Sequence, residues 1–340
     1  MTRNVIVTGG AGYIGSHTCA ALSRKGFTPV TVDNLSNGHV EFVKWGPFIN
    51  ADIRDGAMLN SVFDEYDPVG VIHFAALIEV GQSVKEPLAF YENNLIGSLS
   101  LLQAAARART RNLVFSSTCA TYGLPKTDYL SEDHVQEPIN PYGRTKLIVE
   151  HAIRDIGGQI GLNNVIMRYF NASGASTDDG LGEWHEPETH VIPLLLDAAH
   201  KGKTFNVLGS EYPTADGTCI RDYIHVSDLA DAHVIALERL IDGMSSDVFN
   251  LGTGKGTSVL ELLRCVEEHT GRSIGVKFGD RRPGDSHQLV AANGRAKERL
   301  GWRPSRGLQE IVSSANTWYQ TLEKTRAKCE EPLNGNSSED

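Results

Sequence analysis

The stretch VTGGAGYIG at 7–15 sets the strongest constraint on this chain. A β-branched run, NVIVTG at 4–9, leads straight into Gly9, Gly12 and Gly15. A helix-like segment follows at 13–25, with Ile14, Thr18, Ala21 and Leu22 on one stripe. Glycines let a main chain approach a ligand closely. The N–H groups of a helix start point at whatever anion sits there. Strand, bare turn and helix therefore predict a pyrophosphate cradle. The spacing is not the G-x-G-x-x-G of the commonest dinucleotide fold, and a glycine triplet alone is also compatible with an ordinary tight turn. The next strand-like segment, TPVTVD at 28–33, ends in Asp33, 18 residues after Gly15. An acid there accepts hydrogen bonds from ribose hydroxyls and repels a 2′-phosphate, so the expected cofactor is NAD rather than NADP. Asp52, in NADIRD, stands at a third strand end, where it can meet an adenine amino group.

The alternation continues. VGVIHFAA at 69–76, NLVFSST at 112–118 and LNNVIMRYF at 162–170 read as further strands with helical stretches between them. This βαβ rhythm predicts an α/β fold, a Rossmann-like doubly wound parallel sheet with helices on both faces. After about residue 172 the pattern loosens. Residues 171–190 are rich in Gly, Asp, Ser and Glu and read as one long, functional loop. Helical pieces follow near 191–201, 227–242 and 257–270, and DVFNLGTG at 247–254 reads as a strand returning to the first sheet. A polar tail at 325–340 is expected to be disordered.

A second constellation lies at 139–150, INPYGRTKLIVE. Asn140 suits a helix cap and Pro141 the first helical position. Tyr142 and Lys146 then fall one turn apart, with Val149 and Ile153 continuing the stripe inward. A phenol titrates near pH 10 and is a poor base at neutrality; lowering that by about three units takes roughly 4 kcal/mol. A lysine ammonium beside it and an oxidised nicotinamide both favour the phenolate, which makes Tyr142 a candidate general base. Thr118 ends the strand at 112–118, on the carboxyl edge where open α/β sheets bind ligands, and can hold a substrate hydroxyl beside Tyr142.

Composition narrows the partners. A formal net charge of −10 over 340 residues argues against nucleic acid and anionic membrane surfaces. Five scattered cysteines with no C-x-x-C pair suggest free thiols in a reducing compartment. Residues 1–8 lack the pattern of a signal peptide, and no apolar run approaches the ~18 residues of a membrane span. A cytoplasmic protein with no membrane partner is expected. No metal is expected either: the histidines form no H-E-x-x-H, and His185 and His190, with Glu183, Glu186 and Glu188, read as a solvated acidic loop rather than a cation site.

Together these residues resemble the extended short-chain dehydrogenase/reductase family and, within it, the UDP-glucose 4-epimerases. The resemblance runs through VTGGAGYIGSHT, HFAALIEVGQSV, FSSTCATYG, NPYGRTK, RYFNASGA, DGTCIRDYIHVSDLADAH and RRPGDS, roughly residues 4–320. It implies that Thr118, Tyr142 and Lys146 are the catalytic set. It implies that Gly9, Gly12, Tyr13, Ile14 and Gly15 follow the NAD pyrophosphate, and that Asp33, Asn34, Leu35, Ser36, Asn37 and Gly38 hold the adenosine ribose. Asp52 and Ile53 would flank the adenine. Phe74, Ala75, Ala76, Leu77 and Phe170 would line the cofactor, and Asn94 would position the lysine. On the substrate side, Asn171, Arg221 and Arg282 would meet the phosphates, Asp285 the uridine ribose, and Asn206 and Leu208 the uracil, with His190, Val191 and Leu289 nearby. The implied reaction is transient oxidation of the sugar C4, rotation of the keto sugar and return of hydride to its other face. A homodimer is implied, as is a smaller C-terminal α/β domain for the UDP-sugar at 172–224 and 255–322, beside an NAD-binding domain at 1–171 to which 225–254 returns.

Departures from the family pattern bear on specificity. Ile78 stands where some of these epimerases carry a lysine near the nicotinamide ribose, His190 replaces an asparagine, and Leu289 occupies a position that in some relatives gates sugar size. A dehydratase or decarboxylase needs further acid–base groups, and such relatives commonly place acids after the strand-end threonine. Here Cys119 and Ala120 follow Thr118, which favours simple epimerisation. UDP-glucose/UDP-galactose is the expected pair. UDP-xylose/UDP-arabinose is the alternative, since a pocket discriminates weakly against a missing group. A non-epimerising sugar-nucleotide oxidoreductase and a silent NAD-binding protein on the same scaffold are the remaining readings.

Overall fold

The β-branched runs become strands and the amphipathic stretches helices, at nearly the expected positions. The computed structural model describes residues 3–281 and 285–330. In the first half, strands β1 (Asn4–Thr8), β2 (Thr28–Asp33), β3 (Phe48–Asn50), β4 (Gly70–His73), β5 (Asn112–Thr118) and β6 (Asn163–Tyr169) alternate with helices. The helices are α1 (Tyr13–Arg24), α2 (Gly56–Tyr66), α3 (Val80–Lys85), α4 (Pro87–Phe90), α5 (Gly97–Arg107) and α6 (Pro141–Ile160), with a wider π turn at Tyr91–Ile96 before α5. The second half adds β7 (Asn171–Ser173), β8 (Thr204–Leu208), β9 (Ile220–Arg221), β10 (Tyr223–His225), β11 (Asp247–Leu251), β12 (Thr257–Ser258), β13 (Gly275–Gly279) and β14 (Gln288–Leu289). Its helices are α7 (Val191–Lys201), α8 (Val226–Ile241), α9 (Val259–Thr270) and α10 (Leu308–Glu330).

The main sheet has seven strands in the order β11-β6-β5-β4-β1-β2-β3, all neighbours parallel. Alternate residues of a strand face opposite sides. Val5 and Val7 accordingly join a core with Leu22 of α1 and Leu229 and Leu237 of α8. Ile6 points the other way, into a core with Leu59 of α2, Leu101 of α5 and Val149 of α6. Burial on both faces is what a parallel sheet requires. The strand order reverses between β1 and β4, and a crevice outside the strands' carboxyl ends at such a point is where open α/β sheets bind ligands.

Strand β11 returns to this sheet beside β6, as its sequence implied. Helices α7, α9 and α10 share a separate core around Leu195, Leu262, Val266 and Ile311. Two expectations need correction. The segment 171–190 is not loop throughout: it opens with β7, which pairs with β10, a three-residue strand too short to leave a period in the sequence. The chain is also helical to Glu330, because Ile311, Val312 and Ala315 anchor α10, so residues 325–330 are not a disordered tail. The rest of the expected tail, 331–340, lies outside the described residues.

Candidate active site

The glycine turn is built by close backbone approaches. Gly9 lies in the left-handed region (φ 72°), and a Cβ there would sit 2.6 Å from the Ala75 nitrogen beyond β4. At Gly15 a Cβ would come within 2.1 Å of the Gly9 carbonyl oxygen. A Cβ on Gly12 would meet only that same oxygen, at 3.3 Å, so this face of the turn is open. The first helical bond runs from Ser16 N–H to Gly12, which leaves the amides of Tyr13, Ile14 and Gly15 ahead of it. A bare cradle with leading amides fits a pyrophosphate. The Tyr13 side chain turns elsewhere: its hydroxyl donates to the Gly174 carbonyl at 2.6 Å.

Asp33 is buried at the end of β2 and accepts the amides of Ala11 and Leu35, one on each carboxylate oxygen, at 3.0 and 2.9 Å. Burial raises its pKa and those two amides pull it back. Gly38 packs directly on this carboxylate, and Leu35 takes a positive φ of 58° to close the turn through Asn34, Ser36 and Asn37. Each oxygen of Asp33 keeps a lone pair for a ribose hydroxyl. The Asp52 carboxylate bonds Arg54 at 2.7 Å and Asn34 at 3.1 Å, and the Arg54 bonds hold it down to about 2. Ile53 beside it is buried.

Three expected catalytic residues come together at the carboxyl end of β5 and the start of α6. Asn140 caps α6, accepting the Gly143 amide at 2.8 Å. Tyr142 and Lys146 are buried on the inward face, with Thr118 near enough to the phenol to pull its pKa down. Lys146 Nζ donates to the Ser116 carbonyl at 2.8 Å and lies 4.9 Å from the centre of the Phe115 ring. The expected electrostatics are only half present. Burial raises the phenol well above its ordinary pKa and Thr118 lowers it only partly. Burial also pulls Lys146 down to about 7, against Glu150, which pushes it up. The chain by itself thus holds Tyr142 protonated, because burial of the phenol outweighs what lowers it. Asn94 also acts differently from expectation: it bonds both backbone polar groups of Leu77 and reaches Thr145, so it ties the segment after β4 to α6 rather than holding the lysine.

Sequence reading missed the support beneath this trio. Glu150, one turn beyond Lys146, accepts Ser117 Oγ at 2.5 Å and pairs with the buried Arg168 of β6 at 2.6 Å. The signal was present as Tyr142, Lys146 and Glu150 at successive four-residue steps. His73, at the end of β4, bonds Thr8 at 2.6 Å and Ser98 at 2.8 Å, and burial lowers it to about 3. The residues after Thr118 offer no further acid–base group, since burial pushes the Cys119 thiol up to about 12.

The expected substrate residues are more dispersed. Asn171 opens β7, its amide bonded to the Asp222 carbonyl at 3.0 Å, whereas Phe170 is buried against Tyr122, Leu130 and Ala291 and serves as core. Arg221 of β9 pairs with Asp285, and Leu289 of β14 is in register with Arg221. Arg282 lies outside the described residues. Asn206 and Leu208 lie on β8, which pairs with β13. His190 precedes α7, which begins at Val191, and its ring faces Glu183 at 2.7 Å. Within the loop that carries them the Glu183 side chain is 8% exposed, whereas that of Glu186 is 68% exposed. Burial lowers the His190 pKa, but Glu183 outweighs it and raises it overall.

The family model for the NAD dependent epimerase/dehydratase family matches residues 5–252. A UDP-glucose 4-epimerase of Rhizobium leguminosarum bv. trifolii is 57% identical over 93% of this chain and 97% of its own length. The crystal structure of UDP-glucose 4-epimerase from Brucella ovis in complex with NAD is 49% identical, with a TM-score of 0.91 over 94% of this chain and 98% of the other. A UDP-glucose-4-epimerase from Stenotrophomonas maltophila, with bound NAD and formylated UDP-arabinopyranose, is 38% identical, with a TM-score of 0.92 over 95% and 99% of the two chains. With the sheet order, the glycine cradle and these matches in agreement, the chain belongs to the NAD dependent epimerase/dehydratase family.

Proposed function

We propose that this chain is an NAD-dependent 4-epimerase of UDP-sugars, acting on UDP-glucose and UDP-galactose. The observation that carries the reading is the buried Tyr142 phenol, near Thr118 and one turn from Lys146, on the sheet edge onto which the glycine cradle also opens. NAD, when bound, supplies a hydride acceptor able to give back what it takes. Gly9, Gly12 and Gly15 leave room for its pyrophosphate and Asp33 accepts its ribose hydroxyls. Thr118 orients the sugar 4-hydroxyl and Tyr142 takes its proton as the C4 hydrogen departs. The C4 ketone then turns over within the pocket, and Tyr142 returns the proton to the 4-oxygen once C4 has regained its hydrogen on the other face. Arg221 binds the diphosphate, and binding energy from the UDP part restrains the ketone while the sugar ring moves. Because burial alone raises the phenol, proton removal depends on positive charge arriving with the cofactor.

In the same reading, residues 1–171 with 225–254 form the NAD domain, and 172–224 with 255–322 the UDP-sugar domain. The protein works as a homodimer in the cytoplasm. A second reading, UDP-xylose/UDP-arabinose, is favoured by the pentose ligand of the Stenotrophomonas relative. Incubating the purified protein with a panel of UDP-sugars and resolving the products separates the two. Conversion of UDP-galactose to UDP-glucose is expected. Unchanged UDP-glucose with converted UDP-xylose overturns the hexose assignment.

A further inference from the structure

We propose that Glu183, His185, Glu188 and His190 bind a divalent transition-metal ion of the zinc class, at a site distinct from the Tyr142 centre. One ligand atom from each lies within 4.8 Å of the other three. His185 Nδ1 stands 3.4 Å from Glu183 Oε1 and 4.0 Å from Glu188 Oε2. His190 Nδ1 stands 2.7 Å from Glu183 Oε1 and 3.4 Å from Glu188 Oε1. Zinc binds nitrogen and carboxylate oxygen at about 2.0–2.2 Å, which separates the ligand atoms of a tetrahedron by roughly 3.3–3.6 Å. Small shifts bring the four atoms to that spacing.

A second observation points to a ligand. The Nδ1 atoms of both histidines are shut off from solvent and face the same two carboxylates, Glu183 and Glu188. An ion held between them takes the place of those ion pairs. The loop is also held in shape from outside. Trp184 stacks on His39 with ring centres 4.0 Å apart, and Trp318 Nε1 donates to the Glu183 carbonyl at 2.7 Å. A cavity of about 280 Å³, lined in part by Gly174, Glu183, His185, Glu188 and Trp318, adjoins the cluster and gives an ion a way in. Two imidazoles with two carboxylates suit zinc or cobalt, whereas calcium and magnesium seek all-oxygen shells. All four ligands lie on the segment that leads into α7, so the ion fixes the shape of that segment.

The test uses the full chain, stripped with a chelator and titrated with zinc sulfate against a chromogenic competitor, then with cobalt chloride in a spectrophotometer. One equivalent of zinc, the visible bands of a four-coordinate cobalt site, and an affinity more than ~10-fold weaker in His185→Ala and Glu188→Gln are expected. Should a variant fail to fold, the wild-type melting temperature must still rise on adding zinc to the stripped chain. An absence of binding overturns the proposal, leaving an ion-paired histidine–glutamate cluster. So does stoichiometric binding that the substitutions leave unchanged, or binding of calcium in preference to zinc.

Discussion

Among single side chains, the account turns on how a buried phenol is made to ionise. Tyr142→Phe keeps the ring and the packing and removes only the titrating oxygen. We expect it to retain bound NAD and to lose turnover by about 10²–10⁴-fold, the usual worth of a positioned acid–base group; cofactor content and kcat measured on one preparation check both halves. Lys146 gives a pH test. Folding lowers it from 10.5 to about 7, so between those pH values the unfolded chain holds a proton that the folded chain has lost. Stability therefore rises with pH across that window, and the burial penalty is complete below it. Lys146→Met removes this contribution. In urea melts its stability advantage over wild type is greatest at or below pH 7 and shrinks towards pH 9. Tyr142 and Lys146 were legible because both sit on one helix turn. Arg168 was not, because its partner Glu150 lies on another element and the pair forms only once β6 packs on α6.

Elements with a clean period were the most legible. Strands β2 and β5 and helix α7 have the bounds that their sequences suggest, since β-branched runs and an apolar stripe each leave a recognisable spacing. Strand β7 was hidden because among the described residues it pairs with β10, some fifty residues away in sequence. The Glu183–His190 segment was read as solvated because acidic residues usually are; Glu183 is covered by packing of Trp184 beside it and of Trp318 from α10. The strand–turn–helix unit at the amino end is tested by Gly15→Ala. The added methyl meets the Gly9 carbonyl at 2.1 Å, a backbone atom that cannot swing aside. The turn must open, and the purified variant is expected to carry no NAD while keeping its far-ultraviolet circular dichroism. Full cofactor content would remove the cradle from the account.

For the molecule as a whole, family membership supplies what spacing cannot: the NAD dependent epimerase/dehydratase chemistry. No helix among the described residues is long and apolar enough to cross a membrane. Val84 and Leu88 are 63% and 68% exposed on α3 and α4, both of which pack against α6, and Ile148 of α6 is exposed as well. The proposed homodimer would cover such side chains. Wild type is expected to sediment at twice its 37.0 kDa chain mass, and Val84→Glu combined with Leu88→Glu at the chain mass itself; a monomeric wild type contradicts the dimer. Transient oxidation with internal return is examined most directly by isotope. UDP-galactose carrying deuterium at sugar C4 is incubated with the enzyme and no added cofactor, and the UDP-glucose formed is read by mass spectrometry. Retention of the deuterium at C4, with no NADH released, is the predicted result, whereas its loss to solvent would contradict the account.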